Sequence, residues 1–403
     1  MKSSYKRLGD YIKKVERRNR DSKVTKLRGL SMTKEFRETT SNTVGTDMSV
    51  YKVMTKWQFA CDFMSVIRVH KFPVVLKTDD EPNLVSPAYP VFEVNDPKEL
   101  YPEYLMMWFR RSEFDRYADF KCDSAIRGGF DWDALCECML PIPSIEKQQE
   151  IVREYNVIQN RIALNDQLIT KLEQTAQAIY KQWFVDFEFP DENGKPYKSN
   201  GGKMVFCEEL EKEIPDGWSI DNLSAHIKYS DKRINIDNLV PERYISTENM
   251  LQNKKGIAVT NEIPNITTVT KFVLNDILIS NIRPYLKKIW FADFEGGCSN
   301  DVLCIKSLNQ KNSYFIYYTL EQDSFFNYVM AGSKGTKMPR GDKQWIMDYK
   351  IAFPDFISLN KFSEFSKKSM NFRKVSEDEN QKLEELKELL LAKMTRVESE
   401  VEL

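Results

Sequence analysis

Apolar residues between positions 151 and 183 repeat at alternating intervals of four and three, with one polar member, Asn165. This heptad spacing places its members on one face of a helix. The predicted seam is Ile151, Tyr155, Ile158, Ile162, Asn165, Ile169, Leu172, Ala176, Ile179 and Trp183. A helix of about 40 residues is about 60 Å long, so a seam along its whole length requires a partner helix.

A second apolar series near the end of the sequence predicts a second long helix. Its predicted seam is Phe362, Phe365, Phe372, Leu383, Leu386, Leu390 and Val397, with a polar break that includes Ser376. Polar residues at matching heights in two seams favour a fixed register. We therefore predict that the two helices pair within the chain. The alternative is two ordinary domains with helical tails.

The segments before the two helices mix strand and helix patterns. The runs "YPVFEV" and "DVLCIKS" predict strands, and "PEYLMMWFRRSEFDRYA" and "NSYFIYYTLEQDSFFNYVM" predict amphipathic helices. The sequence aligns with itself in order, at offsets of 215, then 213, then 211 residues. "KWQFACDFMSVIR" matches "KFVLNDILISNIR", "RGGFDW" matches "RGDKQW", and the tripeptide KLE recurs at 171 and 382. An ordered series of matches indicates an internal duplication.

The expected fold class is α+β, with two mixed α/β domains in tandem repeat, two paired long helices and approximate two-fold symmetry. The predicted segments are 1–142 and 215–353 for the domains, 143–186 and 354–403 for the helices, and 187–214 for a linker. The linker prediction rests on "PDENGKPYKSNGGKM", which is rich in Gly, Pro, Asn and Lys and also suits a hairpin tip.

Composition restricts the class of protein. No apolar run is long enough for a membrane-spanning helix and no secretory signal is readable, so we expect no membrane partner. Seven scattered cysteines suggest neither a disulfide framework nor a zinc site, which favours reduced thiols in the cytoplasm. Net charge is −1, but Met1–Arg37 holds 13 Lys and Arg against 4 Asp and Glu. Such a basic segment can attract phosphate, although a solvated charged face is the alternative.

The sequence contains no recognisable catalytic constellation. His70 and His226 are its two histidines, no P-loop or Gly-rich dinucleotide motif is present, and no Pro-Pro pair offers an amino-methyltransferase motif. "PD" at Pro190 is followed by no acid-x-Lys of a nuclease in the next thirty residues, so it is better interpreted as a turn. The prediction is a recognition or assembly protein that is not an enzyme.

Candidate DNA contacts are basic residues in the first segment, at strand ends and in two Gly-containing loops. They are Lys13, Lys14, Arg17, Arg18, Arg20, Arg68, Arg127, Arg283, Lys334, Lys337, Arg340 and Lys343. Guanidinium groups can contact phosphate or the O6/N7 edge of guanine. The competing interpretation pairs these arginines with acids and places Trp132 and Trp345 in the cores, which we favour for the tryptophans.

Several stretches resemble the specificity subunits of type I restriction–modification systems. They are "LPIPSIEKQQEIV" before the first helix, "VSPAYPVFEV" and "IPDGWSIDNL", and the resemblance extends over essentially the whole chain. It implies two target-recognition domains, each reading half of a split DNA sequence. It also implies an antiparallel coiled coil that spans the unread spacer. The second junction, "IAFPDFISLNKFSEF", departs from the pattern because it lacks the Glu-Gln-Gln of Glu146–Gln149.

The resemblance further implies that the chemistry belongs to partner subunits. These would be modification subunits with S-adenosylmethionine, two per chain, which methylate adenine, and a motor–nuclease subunit that uses ATP and Mg²⁺. The chain itself would hold no cofactor and would bind double-stranded DNA. Two alternatives remain: a coiled-coil scaffold that binds proteins, and a specificity subunit of a system without the motor.

Overall fold

The computed structural model describes residues 5–39, 45–123, 129–260 and 262–395. It divides into two compact units. The first unit comprises Met1–Asn165 and Asp378–Leu403, and the second comprises Asp166–Glu377. Each unit therefore contains one mixed head and a portion of both long helices. We call residues 5–141 head 1 and residues 219–353 head 2.

Head 1 is built on a four-stranded antiparallel sheet in the order β2-β9-β6-β7, with three further strand pairs, β1-β10, β3-β4 and β5-β8. Its strands are β1 (Tyr5–Arg7), β2 (Ile12–Val15), β3 (Arg28–Leu30), β4 (Phe36–Glu38), β5 (Lys52–Met54), β6 (Gln58–Cys61), β7 (Val74–Leu76), β8 (Asn83–Val85), β9 (Val91–Val94) and β10 (Met139–Pro141). Its helices are α1 (Val66–Val69), α2 (Pro102–Arg110), α3 (Ser112–Asp123) and α4 (Trp132–Cys136). Rings of the sheet and of α2 form its core, where Phe59 stacks on Phe92 at 4.9 Å.

The first long helix, α5, runs from Ile145 to Tyr180 and continues as a π-helical turn, Lys181–Val185. The following segment, which the sequence predicts as a linker or hairpin tip, holds the antiparallel pair β11 (Met204–Cys207) and β12 (Lys212–Pro215). It packs on the second unit's core through Phe189, whose ring stacks on Tyr197 and Trp218.

Head 2 repeats the first sheet, in the order β14-β21-β18-β19, and adds a second four-stranded sheet, β15-β17-β20-β16, and the pair β13-β22. Its strands are β13 (Ser219–Asn222), β14 (Ile227–Tyr229), β15 (Arg233–Asn235), β16 (Tyr244–Ile245), β17 (Thr268–Phe272), β18 (Ile277–Ser280), β19 (Ile289–Phe291), β20 (Gly296–Cys298), β21 (Val302–Ser307) and β22 (Lys350–Phe353). Its helices are α6 (Ser313–Leu320), α7 (Asp323–Ala331) and α8 (Lys343–Met347). The second long helix, α9, runs from Phe356 to Lys393.

The strands predicted from "YPVFEV" and "DVLCIKS" are present as β9 and β21. Each predicted amphipathic helix is two helices in the structure. The first breaks at Arg111 and the second at Glu321 and Gln322, where the chain turns so that both halves can pack on the sheet.

The long helices pair antiparallel within each unit. In the first unit Arg161 contacts Glu379 while the earlier Gln159 contacts the later Lys387. In the second unit Arg373 Nη1 lies 2.8 Å from Glu173 Oε1. The α5 seam is buried at Ile151, Tyr155, Ile158, Ile162 and Asn165, and half-buried at Ile169, Leu172 and Ile179.

The predicted α9 seam is partly wrong. Phe362 is buried and Leu383 and Leu390 are half-buried, but Phe372 is 62% exposed and Leu386 is 51% exposed. Intervals of four and three from Phe362 instead pass through small polar residues, and Ser366, Ser369 and Ser376 are buried. The apolar residues of α9 therefore do not identify its buried face, because the central part of that face is made largely of serines.

Candidate DNA interface

Two loops of head 2 bring four candidate cations together. Arg283 follows β18 and its backbone N–H donates to Pro339 O at 2.8 Å, while Ile282 and Arg340 form an isolated bridge. Lys334 and Arg340 exchange backbone hydrogen bonds of 3.0 and 2.9 Å. Arg283 lies on the loop after β18, and Lys334, Lys337 and Arg340 lie on the loop between α7 and α8. We call these two loops the basic loop pair; their four cations are exposed.

Carboxylates orient two cations of the basic loop pair. Arg340 Nη1 lies 3.0 Å from Asp301 Oδ1, and Lys334 Nζ lies 2.6 Å from Asp342 Oδ2. The hydrogen bond from Lys334, with two backbone N–H groups at the start of α8, lowers the pKa of Asp342. Held cations lose less side-chain freedom on binding a ligand than mobile ones.

The backbone beside the basic loop pair contains left-handed residues. Asn253, Lys254, Arg283 and Lys287 have φ values of 56°, 63°, 50° and 49°. The segment at residues 253–254 is joined to the loop after β18 by hydrogen bonds of 2.9 Å from Asn253 N–H to Leu286 O and from Lys254 N–H to Lys287 O. A non-glycine residue in the left-handed backbone conformation costs energy, and such residues cluster at functional sites. Their presence here favours this edge of head 2 as a binding site.

Lys343 and Trp345 begin the short helix α8. Lys343 Nζ lies 5.7 Å from the ring of Tyr229, whose hydroxyl donates to Lys343 O at 3.0 Å. Burial raises the pKa of Tyr229. Trp345, which we expected in the core, is 41% exposed and stacks on Tyr328 at 4.9 Å.

In head 1 the candidate cations lie on β2 and on the segment that follows it. Lys13 pairs with Glu93 at 3.3 Å, and Lys14 Nζ lies 5.0 Å from the ring of Trp132, which packs against the core. Arg18 Nη1 donates to Val50 O at 2.7 Å. Arg17 and Arg20 are exposed in the same segment, and the five cations lie within the eight residues 13–20.

The alignment that matches Arg68 with Arg283 does not hold in the strand that precedes each of them. Lys14 pairs with Phe92, which pairs with Phe59; in head 2, Tyr229 pairs with Ile305, which pairs with Ile277. Phe59 and Ile277 therefore correspond at an offset of 277 − 59 = 218, whereas the alignment uses 215.

Phe59 also pairs with Leu76 and Ile277 with Phe291, so the separation is 76 − 59 = 17 residues in head 1 and 291 − 277 = 14 in head 2. Head 1 therefore has three additional residues between β6 and β7. Arg68 lies in this segment and belongs to α1 instead of ending a strand. Arg68 Nη2 donates to Ser65 Oγ at 3.2 Å. Arg127 lies outside the described residues.

Arg233 is a candidate that our sequence analysis missed. It lies 215 residues after Arg18, so the repeat itself could have identified it. Arg233 lies on the edge strand β15, and its guanidinium reaches across the neighbouring strand β17 to Thr268 O at 2.7 Å and Thr270 Oγ1 at 3.1 Å, and to Asn300 Oδ1 at 3.3 Å.

The histidines have structural partners. His70 Nδ1 lies 2.9 Å from Asp119, and His226 Nε2 lies 3.0 Å from Asp221 while its ring stacks on Phe353 at 3.8 Å. Within the part of the chain that the structure describes, no group of three or more His, Cys, Asp or Glu side chains is arranged to hold a metal. In the same ranges no helix is both long and apolar enough to cross a membrane.

The arrangement of duplicated mixed heads and a pair of long helices is shared with a protein of known structure. The chain superposes on the crystal structure of a type I restriction–modification S subunit from M. genitalium with a TM-score of 0.60 and 14% identity. The superposition covers 97% of this chain and 95% of that one. No protein-family model matches the chain.

Named specificity subunits of type I restriction enzymes are also similar in sequence. The MjaIX subunit of Methanocaldococcus jannaschii is 25% identical over 321 residues, 74% of this chain and 69% of that protein. The HindI subunit of Haemophilus influenzae is 35% identical over 109 residues, 26% of this chain and 23% of that protein. The EcoDI subunit of Escherichia coli is 21% identical over 53% of this chain and 50% of that protein. The expected resemblance to type I specificity subunits is confirmed.

Proposed function

We propose that this chain is the DNA-binding specificity subunit of a type I restriction–modification complex. It recognises a bipartite target in double-stranded DNA and directs adenine methylation or cleavage by partner subunits. The observation that carries the proposal is the pair of heads with one sheet order, each presenting exposed cations beside that sheet. Because the loops of the two heads differ in sequence, each head reads a different half of the target.

In this proposal the chain is not itself an enzyme and carries no cofactor. S-adenosylmethionine is held by the modification subunits, and ATP and Mg²⁺ by the motor–nuclease subunit. The chain supplies positioning and sequence readout, for which its cations and loop side chains are suited. Its place of action is the cytoplasm, where bacterial and archaeal DNA lies.

The paired helices offer a surface for the modification subunits, two per chain. In the first unit, exposed Val157, Leu386 and Leu389 flank a groove of about 550 Å³ between α5 and α9. In the second unit Phe372 and Val375 of α9 are also exposed. Exposed apolar patches mark protein interaction sites, and helices of a partner would bury them.

The test is to express the full chain with the neighbouring modification subunit in a host without adenine methylation and to map methyladenine across the genome. A split motif methylated throughout supports the proposal. Replacing residues 1–142 with another head should then change one half of the motif and leave the other unchanged. A soluble, intact complex that methylates no motif contradicts the proposal.

The exposed apolar residues of the helices also suit a protein-binding scaffold, which is the second candidate function. Affinity for duplex DNA at increasing salt separates the two, because counterion release is a property of nucleic-acid binding. A specificity subunit should lose affinity steeply with salt, and a scaffold should bind no duplex at any salt. If the complex methylates but no motor gene lies nearby, the chain serves a system without the motor subunit.

A further inference from the structure

We propose that Arg340 reads a guanine in the half-site bound by head 2, and that Asp301 is its positioning residue. This inference rests on the proposed function and deepens it. It assigns different roles to cations that the sequence groups together. Lys334, Lys337 and Arg283 contact phosphate, whereas Arg340 contacts a base edge.

The backbone of Arg340 is held on both sides. Its N–H and C=O bond with Lys334, and the next residue, Gly341, donates its N–H to Asn281 O at 3.1 Å. A Cβ at position 341 would lie 2.7 Å from Asn281 Oδ1, so the glycine permits this close approach. Base readout requires a fixed origin for the side chain, and these bonds provide one.

The side chain of Arg340 is held at one edge and open at the others. Asp301 Oδ1 contacts Nη1, and the backbone of Asp301 is fixed because its C=O accepts from Asn281 N–H at 2.8 Å. The Arg340 side chain remains 55% exposed. A guanidinium has five donors, so enough remain to meet both O6 and N7 of guanine.

Neighbouring carboxylates favour a base over a phosphate for Arg340. Asp301 lines a polar cleft of about 560 Å³ together with Ser299, Asn249, Glu248 and Glu262. A phosphate beside three carboxylates would be repelled, whereas a base edge is neutral and carries amino groups that carboxylates accept. Arg340 reaches the edge of this cleft through its contact with Asp301, whereas Lys334 pairs with Asp342, which does not line the cleft.

Two buried polar atoms at the same place also lack a partner. Asn281 Oδ1 and Ser299 Oγ make no hydrogen bond with any residue that the structure describes. Buried polar groups are normally paired, and an unpaired one in a native protein requires an explanation. Asn281 is hydrogen-bonded to Gly341 and Asp301, and Ser299 lies two residues before Asp301, so a water held beside the Arg340–Asp301 pair would supply the partners.

The experiment uses the full chain in complex with its modification subunit and a library of random duplexes, from which bound DNA is selected and sequenced at one salt concentration. Wild type should enrich a split motif with a guanine in one half. R340A should lose the preference at that single base pair by about 5- to 150-fold while the other half of the motif stays unchanged. D301N should weaken the same position less, and D301E should restore it.

K334A is the matched control, because Lys334 belongs to the same loop and also pairs with a carboxylate. It should lower affinity for all sequences alike and leave the motif unchanged. If R340A abolishes the whole half-motif, R340K distinguishes loss of base recognition from a general loss of binding by head 2. It keeps the charge but not the two-pronged geometry, so loss at one base pair supports the proposal and an unchanged motif overturns it. Failure of wild type to enrich any motif contradicts the proposed function instead.

Discussion

Arg161 and Glu379 are joined by two parallel hydrogen bonds, from Nε to Oε1 at 3.0 Å and from Nη2 to Oε2 at 2.9 Å. Asn165 Nδ2 donates to the same carboxylate and to Asn380 Oδ1, each at 2.9 Å. These bonds, led by the one from Arg161, lower the pKa of Glu379. Because they join α5 to α9 beside an otherwise apolar stretch of α5, they fix the register of the pair in the first unit.

Replacing Asn165 should weaken that register. Asn165 is buried, and N165A leaves its partner Asn380 without this bond, which should lower the free energy of unfolding by about 1 kcal/mol. Thermal unfolding followed by circular dichroism measures the change. Q167A is the control, because Gln167 is exposed on the same helix. Equal losses in the two variants would contradict a role for Asn165 in register.

Two serines of α9 should respond oppositely to loss of their hydroxyl. Ser366 Oγ is buried without a partner among the residues that the structure describes, so S366A should raise the free energy of unfolding by about 1 kcal/mol. Ser363 Oγ donates to Lys311 O at 2.8 Å, so S363A should lower it by about 0.5–1 kcal/mol. Chemical denaturation of both variants provides the comparison, and a destabilised S366A would mean that the hydroxyl is satisfied in solution.

Glu321 should make the second unit less stable as pH rises. Burial raises its pKa to about 7, although Gln177 and Tyr317 both donate to Oε1 at 3.3 Å; Oε2 has no partner in the described ranges. A folded-state pKa above the ordinary value of 4.5 means that the folded chain holds the proton more tightly than the unfolded chain. The stabilisation of the folded state by protonated Glu321 is fully present below pH 4.5 and is lost as pH rises through 7.

The loss amounts to about 3 kcal/mol above pH 7. E321Q keeps the acceptor for Gln177 and Tyr317 but cannot ionise, so its unfolding midpoint should vary less between pH 5 and 8 and exceed that of wild type at the alkaline end. E364Q, at an exposed carboxylate of α9, should follow wild type. Parallel pH profiles for E321Q and wild type would refute the assignment.

Removing an unrestrained cation of head 1 should weaken DNA binding without altering sequence preference. Arg20 is exposed beside Arg17 and Arg18, and R20A should reduce the slope of log affinity against log salt by about 1. Fluorescence anisotropy with a duplex at several salt concentrations gives the slope. K367A, at an exposed lysine of α9, should leave the slope unchanged. A changed motif for R20A would assign Arg20 to base readout.

The apolar groove of the first unit should be needed for assembly. Leu389 is 61% exposed, so L389K should leave folding intact while placing a charge where a partner helix would bury it. Size-exclusion chromatography with the modification subunit should show loss of the complex, or at least of one copy. E388K places a lysine at a neighbouring exposed position, with a charge change of +2 against +1 for L389K, and should still assemble. A normal complex for L389K would exclude the groove.

The sequence predicts the α5 seam well because large apolar residues occupy it at regular intervals. It predicts the α9 seam poorly because serines occupy the buried heptad positions, and apolar letters such as Phe372 point outward. Hydrophobic periodicity identifies a buried face only where that face is apolar. Phe372 and Leu386 are therefore largely exposed although they fit the apolar repeat.

The sequence also predicts the duplication, but it does not show where the alignment of the two copies breaks down. Identical residues at an offset of 215 align Arg68 with Arg283, and strand pairing is needed to show the three additional residues of head 1 between β6 and β7. The interface depends on contacts between distant residues. Asp301 and Arg340 meet through loops 39 positions apart (340 − 301), and no local pattern encodes that contact.

The closing strand pair of each head has a consequence for how such proteins change over generations. β1 pairs with β10 and β13 pairs with β22, so each head enters and leaves through adjacent, hydrogen-bonded strands. A foreign head that ends in the same strand pair could therefore be spliced in at two neighbouring points without altering either long helix. Under the proposed function, such an exchange would replace one half of the recognised sequence in a single step and leave the other half unchanged.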